Sequence, residues 1–160
     1  MQNQSAASLA ATAAELGLPP LDQIGYVVKN LDRALETFAP LFGPFTFLDT
    51  ALSGCLFRGR RADVTLRLAF GRSGPVEIEL IEVVSGESPH SEFLAQHGEG
   101  VQHIRFIVPN LNAQRDALLA RGFAVVWSHE MPELQARWAY LEGPALRGGM
   151  LLELYENPNL

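Results

Sequence analysis

Two segments in the first half of this sequence are repeated in the second half. Residues 22–31 (DQIGYVVKNL) reappear eighty positions later as residues 102–111 (QHIRFIVPNL), and residues 76–82 (VEIELIE) reappear as residues 150–156 (MLLELYE). In this alignment Gln23 matches His103 and Glu79 matches Glu153, so each half offers one amide or imidazole and one carboxylate at equivalent places. The repeat predicts two copies of one supersecondary unit that pack against each other.

Composition narrows the class of protein. The 160 residues are enough to bury one core, either of a single domain or of two small modules that share it. The net charge of −6 argues against a nucleic-acid partner, because that recognition requires a basic face. A single cysteine, Cys55, excludes an internal disulfide and suits a reducing cytoplasm. No apolar run approaches the roughly 20 residues that span a bilayer, so we expect a cytoplasmic protein without a membrane partner.

The predicted elements follow the same order in both halves. The first module, about residues 21–84, has a strand at 24–28, a helix from Asn30 or Asp32 to about residue 42, and partly irregular strands at 45–49, 55–58, 64–70 and 75–84. After a connector at 85–100 with a short helix near 91–97, the second module, about residues 101–158, has a strand at 101–108, a helix from Asn110 to about residue 121, and strands near 123–127, 137–141 and 150–155.

This order predicts an α+β fold in which two tandem βαβββ modules form a curled mixed sheet around a metal-binding cleft. We expect residues 21–160 to make a single domain. Residues 1–20 are predicted to be a helical appendage, with a helix over residues 5–16 that Gly17 and Pro19 end. We expect the appendage to pack on the domain or on a partner subunit.

Strand alternation places the four repeat-related residues on one side of the sheet. Successive side chains of a strand point to opposite faces, so Gln23, Glu79, His103 and Glu153 lie opposite the apolar residues of their strands. A single glutamate or histidine in a strand is usually a solvated or structural residue. Because each of these four matches another polar residue in the repeat, we interpret them together as ligands of one divalent ion.

Other polar residues are interpreted differently. His90, His97 and His129 lie in connectors or before a loop and are expected at the surface. Cys55 is expected to be a small buried residue rather than a nucleophile. Glu82 and Glu156 also match in the repeat, but alternation places them on the opposite face, where they are expected to be structural or exposed.

Two arginines are candidates for binding a substrate. Strand alternation favours Arg67 and Arg105 as residues that line the same cleft and hold a carboxylate or phosphate group of the substrate. Ordinary surface charge is an equally acceptable explanation for both.

With these residues identified, residues 21–158 resemble the vicinal oxygen chelate superfamily, which includes glyoxalase I, methylmalonyl-CoA epimerase, extradiol dioxygenases and bleomycin-resistance proteins. The segments that carry the resemblance are residues 22–28, 98–104 and 151–154, and they are most similar to methylmalonyl-CoA epimerase. The resemblance implies the metal ligands Gln23, Glu79, His103 and Glu153. The epimerase has histidine where this chain has Gln23, whereas the Gln/Glu/His/Glu set resembles that of some glyoxalase I enzymes.

The resemblance implies a lyase, isomerase or epimerase that uses Zn, Co, Ni or Mn and acts on a small carbonyl compound or an acyl thioester. In such an enzyme the ion polarises the carbonyl and a carboxylate removes the neighbouring proton. Glu153 is the first candidate for this base and Glu79 is the alternative. The resemblance also implies a homodimer. The alternatives are a non-catalytic binding protein of the bleomycin-resistance type and a ring-cleaving dioxygenase, which the single histidine among the four positions disfavours.

Overall fold

The duplication predicted from the sequence is visible in the order of the secondary-structure elements. The computed structural model describes residues 15–144 and 146–160, so nearly all of the helix predicted over residues 5–16 lies outside the described residues. The elements are β1 (Gln23–Val28), α1 (Leu31–Phe42), β2 (Thr46–Phe57), β3 (Arg60–Ser73), β4 (Val76–Gly86), α2 (Pro89–His97), β5 (Gly100–Ile107), α3 (Leu111–Leu119), β6 (Ala124–Met131), a 3-10 turn (Pro132–Leu134), β7 (Ala136–Glu142) and β8 (Leu151–Glu156). Each half is therefore βαβββ. Among residues 15–144 and 146–160, the helices include none with the length and hydropathy of a membrane-spanning segment.

One strand differs from the prediction. The two short strands predicted at residues 45–49 and 55–58 are a single long strand, β2, which pairs with β3 along its length. The pairing register shifts between Leu52 and Cys55, where Gly54 has a positive φ of 67°. A bulge of this kind keeps the strand continuous while interrupting its alternation, which is why the sequence pattern resembles two strands.

The eight strands form one mixed sheet that closes on itself in the order β1-β4-β3-β2-β6-β7-β8-β5. Within each module the first and last strands pair in parallel, β1 with β4 and β5 with β8. The modules join through the antiparallel pairing of β1 with β5 on one side. On the other side only Leu56 and Phe57 of β2 pair with β6. The predicted α+β fold with a curled mixed sheet is confirmed.

Helices α1 and α3 cover the outer face of this sheet, and the cleft lies inside it. Leu31 of α1 packs with Val28 and Leu80, and Leu118 of α3 packs with Leu154. The strand residues Val28, Leu80 and Leu154 are among the apolar residues that alternate with the candidate ligands, so the predicted facing of these strands is confirmed. A third apolar cluster fills part of the inner face.

Each module caps its helix with the same two side chains. In the first module the Asn30 side chain accepts a hydrogen bond from the Arg33 N–H, and Glu82 at the end of β4 accepts one from the Leu31 N–H. In the second module the matching residues repeat both contacts, with Asn110 accepting from Ala113 and Glu156 accepting from Leu111. The N-cap of α1 is therefore Asn30 rather than Asp32.

The outer glutamates are structural, as the strand alternation predicted. Each accepts an N–H at the positive end of a helix, and each also pairs with an arginine of a neighbouring strand, Arg67 with Glu82 at 3.4 Å and Arg137 with Glu156 at 2.9 Å. The last strand of each module is thereby attached to the helix that follows its first strand.

Replacing Glu156 with glutamine should weaken the fold in a pH-dependent way. Burial raises the pKa of Glu156, but the ion pair with Arg137 and the Leu111 N–H lower it by more, so it lies below its ordinary value of 4.5. Such a carboxylate stabilises the protein above its unfolded-state pKa, and this stabilisation is lost as the pH falls through the folded-state pKa. We expect Glu156→Gln to reduce the free energy of unfolding by about 1–2 kcal/mol at about pH 7.

Chemical denaturation over a pH series measures this effect. The difference between Glu156→Gln and the parent should shrink to nothing in acid. Glu36 is an exposed glutamate of α1, and Glu36→Gln is the control that should change the free energy of unfolding little at any pH. A loss for Glu156→Gln that is the same at every pH would contradict the role of its charge.

Candidate metal centre

The structure brings the four repeat-related side chains together inside the closed sheet. His103 Nε2 lies 3.1 Å from Gln23 Oε1, 3.4 Å from Glu79 Oε2 and 3.3 Å from Glu153 Oε2. Gln23 and His103 are fully buried, and Glu79 and Glu153 are 8% and 5% exposed. One ring nitrogen and three oxygens from four different strands therefore converge.

The pairing of the modules explains this convergence. β1 and β5 lie side by side, and β4 and β8 flank them, so the four strands that carry the candidates are neighbours. Gly25 lies opposite His103 in the β1–β5 pairing. A Cβ atom built on Gly25 would lie 1.9 Å from His103 Cε1, so the imidazole occupies the space that any other residue at this position would need.

The neighbour of His103 determines which of its ring nitrogens faces the cluster. Gln102 Oε1 lies 2.8 Å from His103 Nδ1 and also 3.1 Å from His90 Nδ1. A carbonyl oxygen only accepts hydrogen bonds, so both Nδ1 atoms carry protons. The lone pair of a neutral His103 is then on Nε2, directed at the three oxygens, which is the arrangement usual for metal-binding histidines.

A second set of contacts orients Gln23. Its Nε2 donates a hydrogen bond of 2.7 Å to Glu77 Oε1, which leaves Gln23 Oε1 turned towards His103. Glu77 is held in turn by Arg105 at 3.3 Å, and Arg105 also makes two contacts with Asp22 Oδ2, at 2.7 and 3.0 Å. The amide oxygen, rather than the amide nitrogen, therefore faces the cluster.

The cluster attracts positive charge. Burial lowers the pKa of His103, but hydrogen bonds and charge from Glu153 and Glu79 outweigh it and raise the pKa to about 9. Without a metal ion the ring is therefore protonated at about pH 7, and its Nε2–H is the positive group that faces the two carboxylates and the amide oxygen. A divalent ion would take the place of that proton. A donor set of one imidazole and three oxygens has the chemistry that first-row divalent ions accept.

The side chains are not already spread around a common point. Within the described residues no group of three histidine, cysteine or acidic side chains is arranged as a metal cluster. The oxygens of Glu79 and Glu153 lie directly against His103 Nε2, so the four donor atoms do not surround a common central point. The donors fit a divalent ion by their chemistry, and a bound ion would separate the carboxylates from the ring.

The two arginines selected from the sequence lie on opposite faces of the sheet. Arg105 is mostly buried and lines the inner cleft with Glu79 and Glu153, and its guanidinium lies 5.2 Å from the ring centre of Tyr155. The expectation that Arg67 lines this cleft is wrong. Arg67 lies on the outer face, where it pairs with Asp32 of α1 at 3.1 Å.

The physical reason for the Arg67 error is the composition of β3. Its apolar side chains Leu66, Leu68 and Phe70 line the cleft, so the polar residues between them face outwards. In β1, β4 and β8 the apolar residues that alternate with the candidate ligands face the helices instead. Strand alternation alone does not say which of the two faces is the cleft.

His90 also departs from the expectation. It was expected at the surface but is 2% exposed, because Ser88 caps α2 and places His90 in its buried first turn. Burial and the charge of His103 lower the pKa of His90 to about 3, so the ring is neutral. His90 lines the cleft and shares Gln102 with His103. Nothing in the sequence distinguishes this histidine from a surface one.

Tyr140 is a second residue of the site that the sequence analysis missed. Its ring centre lies 5.0 Å from that of His103. Burial raises the pKa of Tyr140 well above its ordinary value, and the charges of Glu153 and Glu79 raise it further, so the hydroxyl keeps its proton. The alternation of Trp138 and Tyr140 in β7 is the signal that indicates an inward-facing aromatic pair.

Cys55 agrees with its expected structural role. It is fully buried in the inner apolar cluster. Burial, and to a smaller extent the charge of Asp63, raise the pKa of the Cys55 thiol to about 11, so it is not a nucleophile.

Fold and site together describe a duplicated βαβββ domain in which four polar side chains meet where the two modules join. The family described as the Glyoxalase/Bleomycin resistance protein/Dioxygenase superfamily matches residues 22–140. The chain belongs to this superfamily, which confirms the resemblance found in the sequence.

Similar proteins agree with this assignment. The Uncharacterized protein YqjC of Bacillus subtilis (strain 168) is 30% identical over 137 residues, which cover 85% of this chain and 91% of that protein. Methylmalonyl-CoA epimerase from Mycobacterium tuberculosis has a TM-score of 0.61 at 23% identity, covering 88% of this chain and 89% of that chain. The Streptomyces coelicolor methylmalonyl-CoA epimerase in complex with 2-nitronate-propionyl-CoA has a TM-score of 0.61 at 23% identity, covering 88% of this chain and 99% of that chain. The two solved structures share the fold of this chain.

Replacing Gly25 with alanine should displace the His103 ring. The added methyl group would overlap the imidazole, and overpacking of a rigid buried site costs roughly 1–3 kcal/mol. We expect Gly25→Ala to lower the free energy of unfolding by at least this amount and to shift the NMR signals of the His103 ring.

Gly100 provides the matched control, because it lies in the same β1–β5 pairing, opposite Val27. A Cβ atom at Gly100 would lie 3.7 Å from Phe93, which is an ordinary contact. Gly100→Ala should leave the His103 signals in place. Equal effects of the two substitutions would show that the space beside His103 has no special importance.

Proposed function

We propose that this protein is a divalent-metal-dependent lyase, isomerase or epimerase that moves a proton next to a carbonyl group. The observation that carries the proposal is the convergence of Gln23, Glu79 and Glu153 oxygens on His103 Nε2 within a cleft. In this proposal those four side chains hold Zn, Co, Ni or Mn. The ion would supply Lewis acidity to a carbonyl oxygen of the substrate, which favours loss of the neighbouring proton.

Glu153 is proposed as the base and Glu79 as its alternative. Both carboxylates line the cleft, so a substrate in the cleft can reach either of them. Glu153 also lies beside the Tyr140 hydroxyl, which keeps its proton and can hydrogen-bond to the carboxylate. A hydrogen bond from this hydroxyl would fix the orientation of the Glu153 carboxylate and stabilise its ionised form, which is the form that accepts a proton, and this favours Glu153 as the base. The aromatic and aliphatic walls of the cleft exclude water from the reacting atoms.

The substrate class is a small carbonyl compound or an acyl thioester. The thioester is supported by the solved epimerase structure of the same fold, which is in complex with 2-nitronate-propionyl-CoA. The homodimer expected from the sequence stays a prediction.

A non-catalytic binding protein is the second candidate, because the cleft is largely apolar and could hold a molecule without any chemistry. Such a protein has no use for two buried carboxylates beside an imidazole, since burying charge is costly unless the charge is paired. A ring-cleaving dioxygenase is disfavoured, because it needs two histidine ligands and His103 is the one histidine among the four converging side chains.

Metal binding is tested first. The purified protein should contain, or bind with a measurable Kd, one divalent ion among Zn²⁺, Co²⁺, Ni²⁺ and Mn²⁺, and the ion should raise the melting temperature. Gln102→Leu removes the group that holds His103 Nδ1 and should weaken the affinity about 10–100-fold. A protein that binds none of the four ions, by calorimetry and by elemental analysis, would refute the enzyme proposal.

Proton transfer is tested with Glu153→Gln. The metal-loaded protein should catalyse exchange of solvent deuterium into the α-position of propionyl-CoA, methylmalonyl-CoA or the hemithioacetal of methylglyoxal, observed by NMR. Glu153→Gln should slow the exchange at least about 100-fold, because the amide cannot take a proton. Glu79→Gln is compared in the same assay, and whichever variant loses more exchange identifies the base.

The control for this substitution is Glu156→Gln. Glu156 lies on the same strand but on the outer face, so at about pH 7 the folded variant should retain exchange. Unchanged exchange in Glu153→Gln would exclude Glu153 as the base, and exchange lost equally in the control would mean that the assay reports stability.

A further inference from the structure

We propose that the substrate of this cleft carries an uncharged apolar group, either aromatic or branched aliphatic, beside the oxygens that reach the metal centre. The cleft selects against a carboxylate in that place. This inference rests on the proposed function and extends it to the substrate class.

The walls of the cleft are aliphatic and aromatic. They surround a volume of about 330 Å³ that Glu79 and Glu153 also line. β3 contributes Leu66 and Leu68, and β7 contributes Trp138 and Tyr140 from across the closed sheet. An apolar cavity of about 150 Å³ is enough to bind benzene in another protein, so this cleft has room for an aryl or branched acyl group.

The charges of the cleft argue against a second anion. Among the described residues that line it, Arg105 is the only cation, and the carboxylates of Asp22 and Glu77 already hold its guanidinium. The two positive charges of a divalent ion would balance the negative charges of Glu79 and Glu153, so no net positive charge would remain to hold a substrate carboxylate. A substrate carboxylate in the cleft would lose its water and meet a surplus of negative charge.

The mouth of the cleft is apolar as well. Leu48 of β2 and Leu134 of the 3-10 turn both line the cleft and are 50% and 53% exposed, so they lie where it meets solvent. An apolar group in the cleft would remove this surface from water. A charged group would cover the same surface without this favourable contribution to the binding free energy.

The inference is tested with two small chelators that present the same pair of vicinal oxygens. Benzohydroxamic acid carries a neutral aryl group, and succinic monohydroxamic acid carries a carboxylate at a comparable distance. Their Kd values are measured by calorimetry on the metal-loaded full-length protein at about pH 7.5. We expect benzohydroxamic acid to bind at least about 30-fold more tightly.

Leu48→Arg tests the charge argument directly. This half-exposed position can carry an arginine without disturbing the core, and the new cation should tighten binding of succinic monohydroxamic acid about three- to tenfold. Phe47→Arg is the matched control. It adds the same charge to the preceding residue of β2, which is exposed and does not line the cleft, so neither Kd should change.

The outcomes separate this inference from the function on which it rests. Tight, metal-dependent binding of benzohydroxamic acid with weak binding of the succinic compound supports both. Equal binding of the two compounds, or tighter binding of the succinic one, overturns the substrate class and leaves the metal centre intact. If neither compound binds more tightly with metal than without it, the proposed function fails and the substrate class fails with it.

Discussion

The antiparallel pairing of β1 with β5 is the contact on which the rest of the structure depends. It joins the first strands of the two modules, and each first strand also pairs in parallel with the last strand of its own module. Four strands that are distant in sequence thus become neighbours. Gly25 permits the close approach, because a side chain there would occupy the space of the His103 ring. Without this pairing each half would present an isolated amide or imidazole and one carboxylate.

The last strand of each module serves two purposes with two glutamates. Glu79 and Glu153 face inwards to the cluster, whereas Glu82 and Glu156, three residues further on, face outwards and cap the helices. An odd spacing in a strand reverses the face, so one short segment can supply both a site residue and a structural one. The position of each inner carboxylate is in this way tied to the docking of a helix on the outer face.

The sequence predicted much of the fold and the composition of the cluster. The element order, the mixed sheet and the grouping of four polar residues follow from the repeat and from strand alternation. Arg67 and His90 could not be placed in this way. Alternation groups residues by face but does not identify the face that becomes the cleft, and β3 presents its apolar side to the cleft while β1 presents its apolar side to a helix. The burial of His90 depends on where α2 packs.

The amino-acid sequence by itself determined the duplication, the alternation of apolar and polar residues in the strands, and the identity of Gln23, Glu79, His103 and Glu153 as equivalent positions. These are local properties, because they depend on residue type and spacing along the chain. Only the tertiary structure decided which atoms of those residues face one another. Gln102 directs His103 and Glu77 directs Gln23, and both contacts require side chains to meet in space after the sheet has closed.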